Sequence, residues 1–342
     1  MKAAILRDVN DMRVEEIPAP EPAADEVLVR VAACGVCATD VNMWRGTNLE
    51  GTFPFVPGHE WAGEIVETGS EITNFAVGDR VVGEVAETCG VCANCKGGLP
   101  PVSCLNVRYY GFSWQTPGGM ADYCTAKEPR LHKIPDNLSY EEAALVEPVS
   151  IGYHGVWETA GGVLPHDRVV IFGGGPIGML TLLTCKAAGA PAAMVEPHPH
   201  RRDMAQELGA DAAFDPLEGS LEEQVLEFTQ GRGASLVVEC SGNDAARAAT
   251  LDVVGFRGRI VIIGIRANRT VPLELDKFVF KEVTMAGSDG SGFVFAKPLE
   301  LMSRRVVDFS KVITHRFPLE EVNQALELGA GQGESSKIMI VP

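Results

Sequence analysis

Four cysteines stand close together within residues 89–104 of this 342-residue chain, at the spacing C-x2-C-x2-C-x8-C. Four thiolates on one short segment can surround a zinc ion tetrahedrally and leave no position open for a substrate. The surrounding residues 86–120 include many glycines and prolines and few residues able to form a core. We therefore predict a structural metal site that replaces a hydrophobic core there, formed by Cys89, Cys92, Cys95 and Cys104.

A second group of candidate ligands is spread along the chain. Cys37 lies in the segment C-G-V-C-A-T-D, and His59 and Glu60 lie in P-G-H-E. A thiolate, an imidazole and a carboxylate suit Zn²⁺ with one coordination position left open. Glu147, in the segment V-E-P, is a further carboxylate near a predicted helix end. Spacing alone does not bring these four residues together, and an isolated Cys or His is more often part of a core.

A glycine-rich turn follows the apolar residues 168–172. Residues 173–178, G-G-G-P-I-G, match the pattern G-x-G-x-x-G between a predicted strand and a predicted helix, which is the context this pattern requires. Glycines let a pyrophosphate approach the backbone, and a helix N-terminus offers N–H groups to the anion. A plain tight turn is the alternative. We predict a dinucleotide site formed by Gly173, Gly175, Pro176, Ile177 and Gly178.

Glu196 ends the next predicted strand, 18 residues after Gly178. A carboxylate there accepts hydrogen bonds from the adenosine ribose and repels a 2′-phosphate, so NAD is favoured over NADP. Arg201 and Arg202 point the other way, because an arginine near this strand end can pair with a 2′-phosphate. The prediction is NAD, with Glu196 and Arg201 in the cofactor site.

The elements that must position these residues divide the chain in two. Before residue 140, short apolar strands alternate with glycine-containing turns, which is typical of an all-β, barrel-like domain. A helix is predicted at residues 141–156, after which helices and nearly all-apolar strands alternate, as in an α/β domain with a doubly wound parallel sheet. We predict a nucleotide-binding domain at residues 151–287 and a catalytic domain formed by residues 1–150 and 288–342.

The composition indicates a soluble globular protein, with 46% hydrophobic and 22% charged residues. The formal net charge is −17, and a chain this acidic repels nucleic acid and anionic membranes. The first residues carry charges where a secretory signal needs an apolar core. We therefore expect a cytoplasmic protein that acts on a small molecule and binds neither nucleic acid nor membrane. Cysteines outside the two groups are predicted to be core thiols: Cys34, Cys124, Cys185 and Cys240.

Taken in order along the chain, these motifs resemble the zinc-dependent medium-chain dehydrogenases. The resemblance covers essentially the whole chain and is carried by C-A-T-D at residues 37–40, G-H-E at residues 58–60, the four-cysteine segment, E-P at residues 147–148 and the glycine turn. Within this superfamily, L-V-E-P at residues 145–148 resembles the polyol branch of sorbitol, butanediol and cyclitol dehydrogenases. Ordinary alcohol dehydrogenases have a cysteine ligand where Glu147 falls.

The resemblance implies a GroES-like β-barrel catalytic domain and a Rossmann domain that binds NAD. It implies two zinc ions, one structural on the four-cysteine segment and one catalytic on Cys37 and His59, with Glu60 and Glu147 as exchangeable ligands. Thr39 would accept the substrate hydroxyl proton, and Asp40 would orient His59.

The implied reaction is the reversible oxidation of a secondary alcohol of a polyol, sugar alcohol or cyclitol to a ketone. A Lewis-acidic zinc ion lowers the pKa of the alcohol, and hydride then passes to the nicotinamide in a dry cleft between the domains. Relatives of this kind are homodimers or homotetramers, and residues 270–275 are a candidate for such a contact.

Two positions depart from the family pattern. Asn42 stands where many relatives have a histidine that ends the proton relay, and an amide cannot titrate. Eight residues separate Cys95 from Cys104, whereas relatives usually have seven residues at this place. The alternatives left open are an L-threonine or simple alcohol dehydrogenase of the same superfamily, a zinc-free reductase, and a non-catalytic zinc-binding module.

Overall fold

The computed structural model describes residues 1–47, 52–266, 269–290, 292, 295–331, 333 and 335–342. Its strands, in chain order, are β1 (Lys2–Asp8), β2 (Asp11–Glu16), β3 (Glu26–Val36), β4 (Glu60–Thr68), β5 (Arg80–Gly83), β6 (Ala86–Glu87), β7 (Arg108–Tyr109), β8 (Tyr123–Lys127), β9 (Leu131–Lys133), β10 (Val169–Phe172), β11 (Ala192–Val195), β12 (Ala212–Phe214), β13 (Ala234–Glu239), β14 (Val254–Ile262), β15 (Thr284–Gly287), β16 (Ile313–Pro318) and β17 (Lys337–Val341).

The α-helices are α1 (Ala38–Trp44), α2 (Ala93–Lys96), α3 (Tyr140–Ala144), α4 (Val146–Tyr153), α5 (Pro176–Ala187), α6 (Pro199–Glu207), α7 (Leu221–Phe228), α8 (Asp244–Val253), α9 (Leu275–Lys281), α10 (Ala296–Ser303) and α11 (Val322–Ala330). A π-helix follows α4, and short 3-10 turns lie at Pro101–Ser103, Glu128–Arg130, Phe309–Val312 and Leu319–Glu321. Within these described ranges, no helix combines the length and the apolar character needed to cross a lipid bilayer.

The chain divides into two compact units. The first comprises residues 1–147, 295–304 and 313–342, and the second comprises residues 148–294 and 305–312. The second unit thus extends beyond the predicted residues 151–287. It includes the 3-10 turn before β16 because this turn packs on α5 and buries Phe309 and Val312.

The first unit is built on a sheet with the strand order β16-β17-β3-β4-β5-β9, in which β8 also pairs with β3. Strand β3 is antiparallel to β17, β4 and β8, and its apolar residues are buried in the core of this unit. Gly35 pairs with Glu60 of β4, and Val36 pairs with Ile338 of β17. The starts of β4 and β17 therefore meet at the end of β3.

The second unit has a parallel sheet in the order β12-β11-β10-β13-β14-β15. Strands β10 and β11 are apolar and buried throughout, as expected for parallel strands covered on both faces. The order of the strands reverses between β10 and β13, and ligands of doubly wound sheets bind outside the carboxyl ends of the strands at such a point. The predicted α/β fold with a doubly wound parallel sheet is confirmed.

One predicted helix is wrong in its extent. Residues 141–156 do not form a single helix, because α3 and α4 are separate and α4 continues into the π-helix. Pro148 explains the break, since it has no N–H to donate to the carbonyl of Ala144 and its ring crowds that carbonyl. The interruption places Glu147 in the first turn of α4.

Candidate metal centres and nucleotide site

Cys89, Cys92, Cys95 and Cys104 lie together in the first unit, with their sulfur atoms all within 4.8 Å of one another. Cys92 caps α2, and its sulfur accepts the N–H of Cys95 at 3.5 Å. The sulfur of Cys104 accepts the N–H groups of Cys89 at 3.3 Å and Asn106 at 3.4 Å. The extra residue before Cys104 does not remove it from the group, because the preceding 3-10 turn leads directly into it.

The charges in this group favour a cation. Backbone N–H groups of Val91 and Cys92 lower the pKa of Cys89 to about 6, whereas the Cys92 side chain raises the pKa of Cys95 to about 12. Closely spaced thiols behave in this way because one ionises and its charge then opposes ionisation of the next. Four sulfur donors suit a tetrahedral zinc site, so the group fits a structural zinc ion.

A second candidate metal group combines residues from two elements of the first unit. The ligand atoms of Cys37, His59 and Glu60 all lie within 4.8 Å of one another. Cys37 is the N-cap of α1, and the carboxylate of Asp40 accepts its N–H at 2.9 Å. His59 and Glu60 lie at the start of β4 and are 5% and 1% exposed. Backbone structure on both sides therefore holds the group in place, with Cys37 half-buried and His59 and Glu60 buried.

Buried polar atoms without partners indicate that this second group suits a cation. Nδ1 of His59 and Oδ1 of Asp40 have no hydrogen-bond partner among the described residues, and they are 3.7 Å apart. Burial opposes protonation of His59, but Asp40 and Cys37 outweigh it and raise the pKa of His59 well above its usual range. A divalent cation would displace that proton, because a ligand imidazole must be neutral. The sulfur, nitrogen and oxygen donors fit zinc.

Glu147 is not part of this group of mutually close ligand atoms. It is 7% exposed, and burial raises its pKa to about 7 although His59 acts in the opposite direction. Its electrostatic interaction with His59 and Glu60 indicates that its carboxyl group lies in the same neighbourhood. The geometry thus favours Glu60 over Glu147 as the carboxylate directly beside Cys37 and His59.

Lys337 is a buried cation that sequence patterns did not indicate. It opens β17, is 2% exposed, and donates to Oε1 of Glu60 at 2.6 Å and to the carbonyl of Val36 at 3.1 Å. Gly35 makes room for this pair, because a Cβ at that position would overlap the Glu60 carboxylate. The available signal was a lysine at the start of an otherwise apolar strand.

The remaining side chains near this group differ in exposure. Thr39 is half-buried in α1, whereas Asn42 is exposed and its Oδ1 accepts the hydroxyl of Thr47 at 3.2 Å. Phe112, which sequence patterns also did not indicate, has its ring centroid 5.6 Å from that of His59. The aromatic ring of Phe112 therefore packs beside the candidate ligand His59.

The glycine turn in the second unit has the geometry of an anion site. Gly173 has a φ of +96°, which favours glycine. Gly175 is the N-cap of the 12-residue α5, which opens with Pro176 and Ile177. A Cβ at Gly178 would overlap the carbonyl oxygen of Gly173. The turn presents the N-terminus of α5 at the carboxyl end of β10, where doubly wound folds bind pyrophosphate.

Glu196 connects the end of β11 to the glycine turn. It is 3% exposed, and its Oε2 accepts the N–H of Gly174 at 2.6 Å. Arg202, on α6, donates to the backbone carbonyls of Glu196 and Pro197 at 2.8 Å and pairs with Asp215 at 2.9 Å. Arg201 is closer to the carboxylate, with its Nη1 3.9 Å from Oε2 of Glu196.

Two family descriptions match the chain. The alcohol dehydrogenase GroES-like domain matches residues 23–136, which include Cys37, His59, Glu60 and the four-cysteine group. The zinc-binding dehydrogenase description matches residues 176–304, which begin at the first residue of α5. The first match lies within the first unit, and the second covers most of the second unit together with residues 295–304 of the first.

Individual proteins match over nearly the whole length. Sorbitol dehydrogenase of Bacillus subtilis (strain 168) is 32% identical, covering 100% of this chain and 97% of its own. Scyllo-inosose 3-dehydrogenase of Thermotoga maritima is 34% identical, covering 93% of this chain and 86% of its own. A Sinorhizobium meliloti 1021 structure, described as a zinc-binding dehydrogenase bound to NADP, has a TM-score of 0.92 and 30% identity, covering 100% of this chain and 99% of its own.

Proposed function

This chain belongs to the zinc-dependent medium-chain dehydrogenases, and we propose that it reversibly oxidises a secondary alcohol of a polyol, sugar alcohol or cyclitol to a ketone with NAD(H). One observation carries the proposal: a group of half-buried Cys37 with buried His59 and Glu60 occurs in one chain with a glycine turn at the switch point of a doubly wound sheet. The names of the sorbitol and scyllo-inosose relatives favour hydroxyl-rich substrates.

Cys37, His59 and Glu60 would hold the catalytic zinc ion, with Glu147 as the carboxylate that exchanges with Glu60. When bound, zinc supplies a Lewis acid that lowers the pKa of the substrate hydroxyl. Asp40 orients the His59 ring, because its Oδ1 faces Nδ1 of that ring.

Thr39 is the residue that receives the hydroxyl proton. It lies on α1, the helix that Cys37 caps, and it is only half-buried. Asn42, one turn further along, is exposed and cannot titrate, so the proton passes from Thr39 to solvent rather than to a histidine.

A second, structural zinc ion would be held by Cys89, Cys92, Cys95 and Cys104. Four thiolates would leave no coordination position on it for a substrate.

NAD is the preferred cofactor, even though the Sinorhizobium relative holds NADP. The buried carboxylate of Glu196 faces the glycine turn, and Arg202 is occupied by Asp215 and backbone carbonyls. Arg201 is then the remaining arginine beside Glu196 for a 2′-phosphate. Glu196→Gln is expected to raise the NADP-to-NAD ratio of kcat/KM about tenfold, by removing like-charge repulsion. An unchanged ratio would indicate that Arg201, and not Glu196, determines the preference between NAD and NADP.

The protein forms homodimers or homotetramers in the cytoplasm. Strand β15 lies at the edge of the parallel sheet, and Leu275, Val279 and Phe280 on α9 are each at least 70% exposed. Apolar exposure on the helix that precedes an edge strand favours contact with a second copy of the chain. The candidate contact at residues 270–275 adjoins this helix. Light scattering of Phe280→Asp against the unmodified protein is the test, with a smaller mass expected for the variant.

A substrate panel with zinc-loaded protein tests the proposed reaction. NADH formation from NAD is measured by absorbance with sorbitol, 2,3-butanediol, inositols, L-threonine and primary alcohols. We expect a higher kcat/KM for the polyols or cyclitols. A preference for threonine or a primary alcohol would contradict the proposed substrate class and assign the enzyme to another branch of the superfamily.

Two variants separate catalysis from folding in this assay. Cys37→Ser removes a candidate ligand, so loss of turnover with retained NADH binding is expected. Cys124→Ser changes a fully buried thiol in the same unit that lies outside both metal groups, and it should retain turnover. Equal activity of Cys37→Ser and the unmodified protein would refute the assignment of the catalytic metal site.

A further inference from the structure

Glu239 is a buried carboxylate for which the proposed chemistry has no role. It is the last residue of β13 and is 0% exposed. In the parallel sheet it pairs with Phe172 at the end of β10 and with Ile262 at the end of β14. It therefore stands at the carboxyl edge of the sheet, beside the point where the strand order reverses.

The carboxylate of Glu239 holds the loop that follows β13. Its Oε1 accepts the N–H groups of Ser241 at 2.7 Å and Gly242 at 2.9 Å, together with the Ser241 hydroxyl at 2.5 Å. Nε of Arg247 lies 3.7 Å from Oε2, and the Arg247 guanidinium donates to the carbonyl of Gly264 at 2.7 Å. Burial raises the pKa of Glu239, and these donors and Arg247 oppose that shift. Three donors on one carboxylate oxygen anchor the loop firmly.

The anchored loop packs against the glycine turn. A Cβ at Gly173 would lie 2.8 Å from Cβ of Ser241, and the N–H of Cys240 donates to the carbonyl of Phe172 at 2.9 Å. On the opposite side, a Cβ at Gly264 would lie 2.8 Å from Oε2 of Glu239. One side chain thus sets the spacing of the loops that follow β10, β13 and β14.

We propose that Glu239 is a positioning residue for the dinucleotide, which fixes the loop at residues 241–242 as a support for the glycine turn and thereby sets the affinity for NAD(H). The inference rests on the proposed function, because it requires the glycine turn to bind a dinucleotide. Loss of an acceptor oxygen of Glu239 would leave N–H groups of this loop unsatisfied, so we expect the conformation of the loop to change.

Glu239→Gln tests this role with little change in size. The amide replaces one acceptor oxygen by a donor, which then meets the N–H of Gly242 or the Arg247 guanidinium. The Kd for NADH, measured by its fluorescence, is expected to rise about tenfold, and the KM for NAD should rise with it. The KM for the alcohol should stay unchanged.

Asp167→Asn is the matched control. Asp167 is also a buried carboxylate of this sheet, but it lies at the amino end of the strands, whereas Glu239 lies at their carboxyl end. Asp167 is 5% exposed, precedes β10, pairs with Arg259 at 3.1 Å and accepts the Ser235 hydroxyl at 2.7 Å. This variant is expected to lower Tm without changing the Kd for NADH. A purely structural role of Glu239 would give the same result in both variants.

Ser241→Ala keeps the test decisive if Glu239→Gln does not fold. Ser241 is exposed, and the change removes the hydroxyl that donates to Glu239 and accepts the N–H of Asn243 at 3.0 Å. A several-fold rise in the Kd for NADH is expected, and the double variant should show less than the sum of both effects. Unchanged NADH affinity in either folded variant overturns the role of Glu239. Failure of the unmodified protein to bind NADH overturns the proposed function instead.

Discussion

Lys337 and Glu60 form a buried ion pair next to the candidate catalytic metal group. Burial opposes the charge of Lys337, but Glu60 and Cys37 outweigh it and raise the pKa of Lys337. The lysine therefore balances part of the negative charge that the thiolate and carboxylates bring together. Local patterns could not predict this pair, because its members are 277 residues apart in the chain.

Lys337→Met is expected to lower the free energy of unfolding of the metal-free protein by about 3–5 kcal/mol, because Glu60 would remain buried without its partner. Zinc should recover part of this loss, since it binds the folded protein and supplies positive charge at the same carboxylate. Urea unfolding with and without zinc measures both effects. Lys133→Met, which removes a largely exposed pair with Asp79, is the control. A loss no larger than the control's would argue against a buried pair.

At the scale of elements, the turn between β10 and α5 was predictable because its requirements are local. Gly173 needs a positive φ, Gly175 caps a helix, and Pro176 suits the first helical position. All three properties are readable from neighbouring residues. The break between α3 and α4 was missed, although Pro148 signalled it, because the apolar periodicity of residues 141–156 continues across the break.

Gly175→Ala is expected to separate binding from folding. Its backbone conformation, φ −76° and ψ 179°, is open to alanine, and a Cβ there meets no atom within 4 Å among the described residues. Stability should hardly change, whereas the Kd for NADH should rise at least about tenfold because the methyl group occupies the space needed by the pyrophosphate. Thermal unfolding and NADH fluorescence measure the two quantities. Unchanged NADH affinity would show that the pyrophosphate does not bind against Gly175.

The four-cysteine segment is expected to depend on the proposed zinc ion. Its regular structure consists of the β6–β7 pair, the four-residue α2 and a 3-10 turn, with Val91, Leu99 and Leu105 more than half exposed. Elements this short have little core of their own, so zinc binding would supply much of their folding free energy.

Cys92→Ser is expected to remove about one zinc ion per chain and to open residues 86–110 to proteolysis, while NADH binding by the second unit persists. Zinc analysis and limited proteolysis measure these changes. Cys185→Ser, a fully buried thiol of the second unit, is the control and should retain all zinc. Full zinc content in Cys92→Ser would contradict the structural site.

For the molecule as a whole, the fold was predictable and the candidate site only in part. Alternation of apolar strands and helices predicted the parallel sheet, and short apolar strands between glycine-containing turns predicted the β-rich unit. The residues that complete the sites come from distant parts of the chain: Lys337 reaches Glu60 through the pairing of β17 with β3, and Phe112 reaches His59 through a loop. Such contacts depend on tertiary structure, and no local spacing encodes them.

The most direct test adds zinc stepwise to the metal-free enzyme and measures the rate of NADH formation from a polyol at each step. Turnover should appear only as zinc is added and should level off near about two zinc ions per chain, one for each ligand group. The Cys37→Ser variant should bind about one zinc ion per chain and stay inactive. Full turnover in protein without zinc, or none in protein with both ions bound, would show that the group at Cys37, His59 and Glu60 does not drive the oxidation.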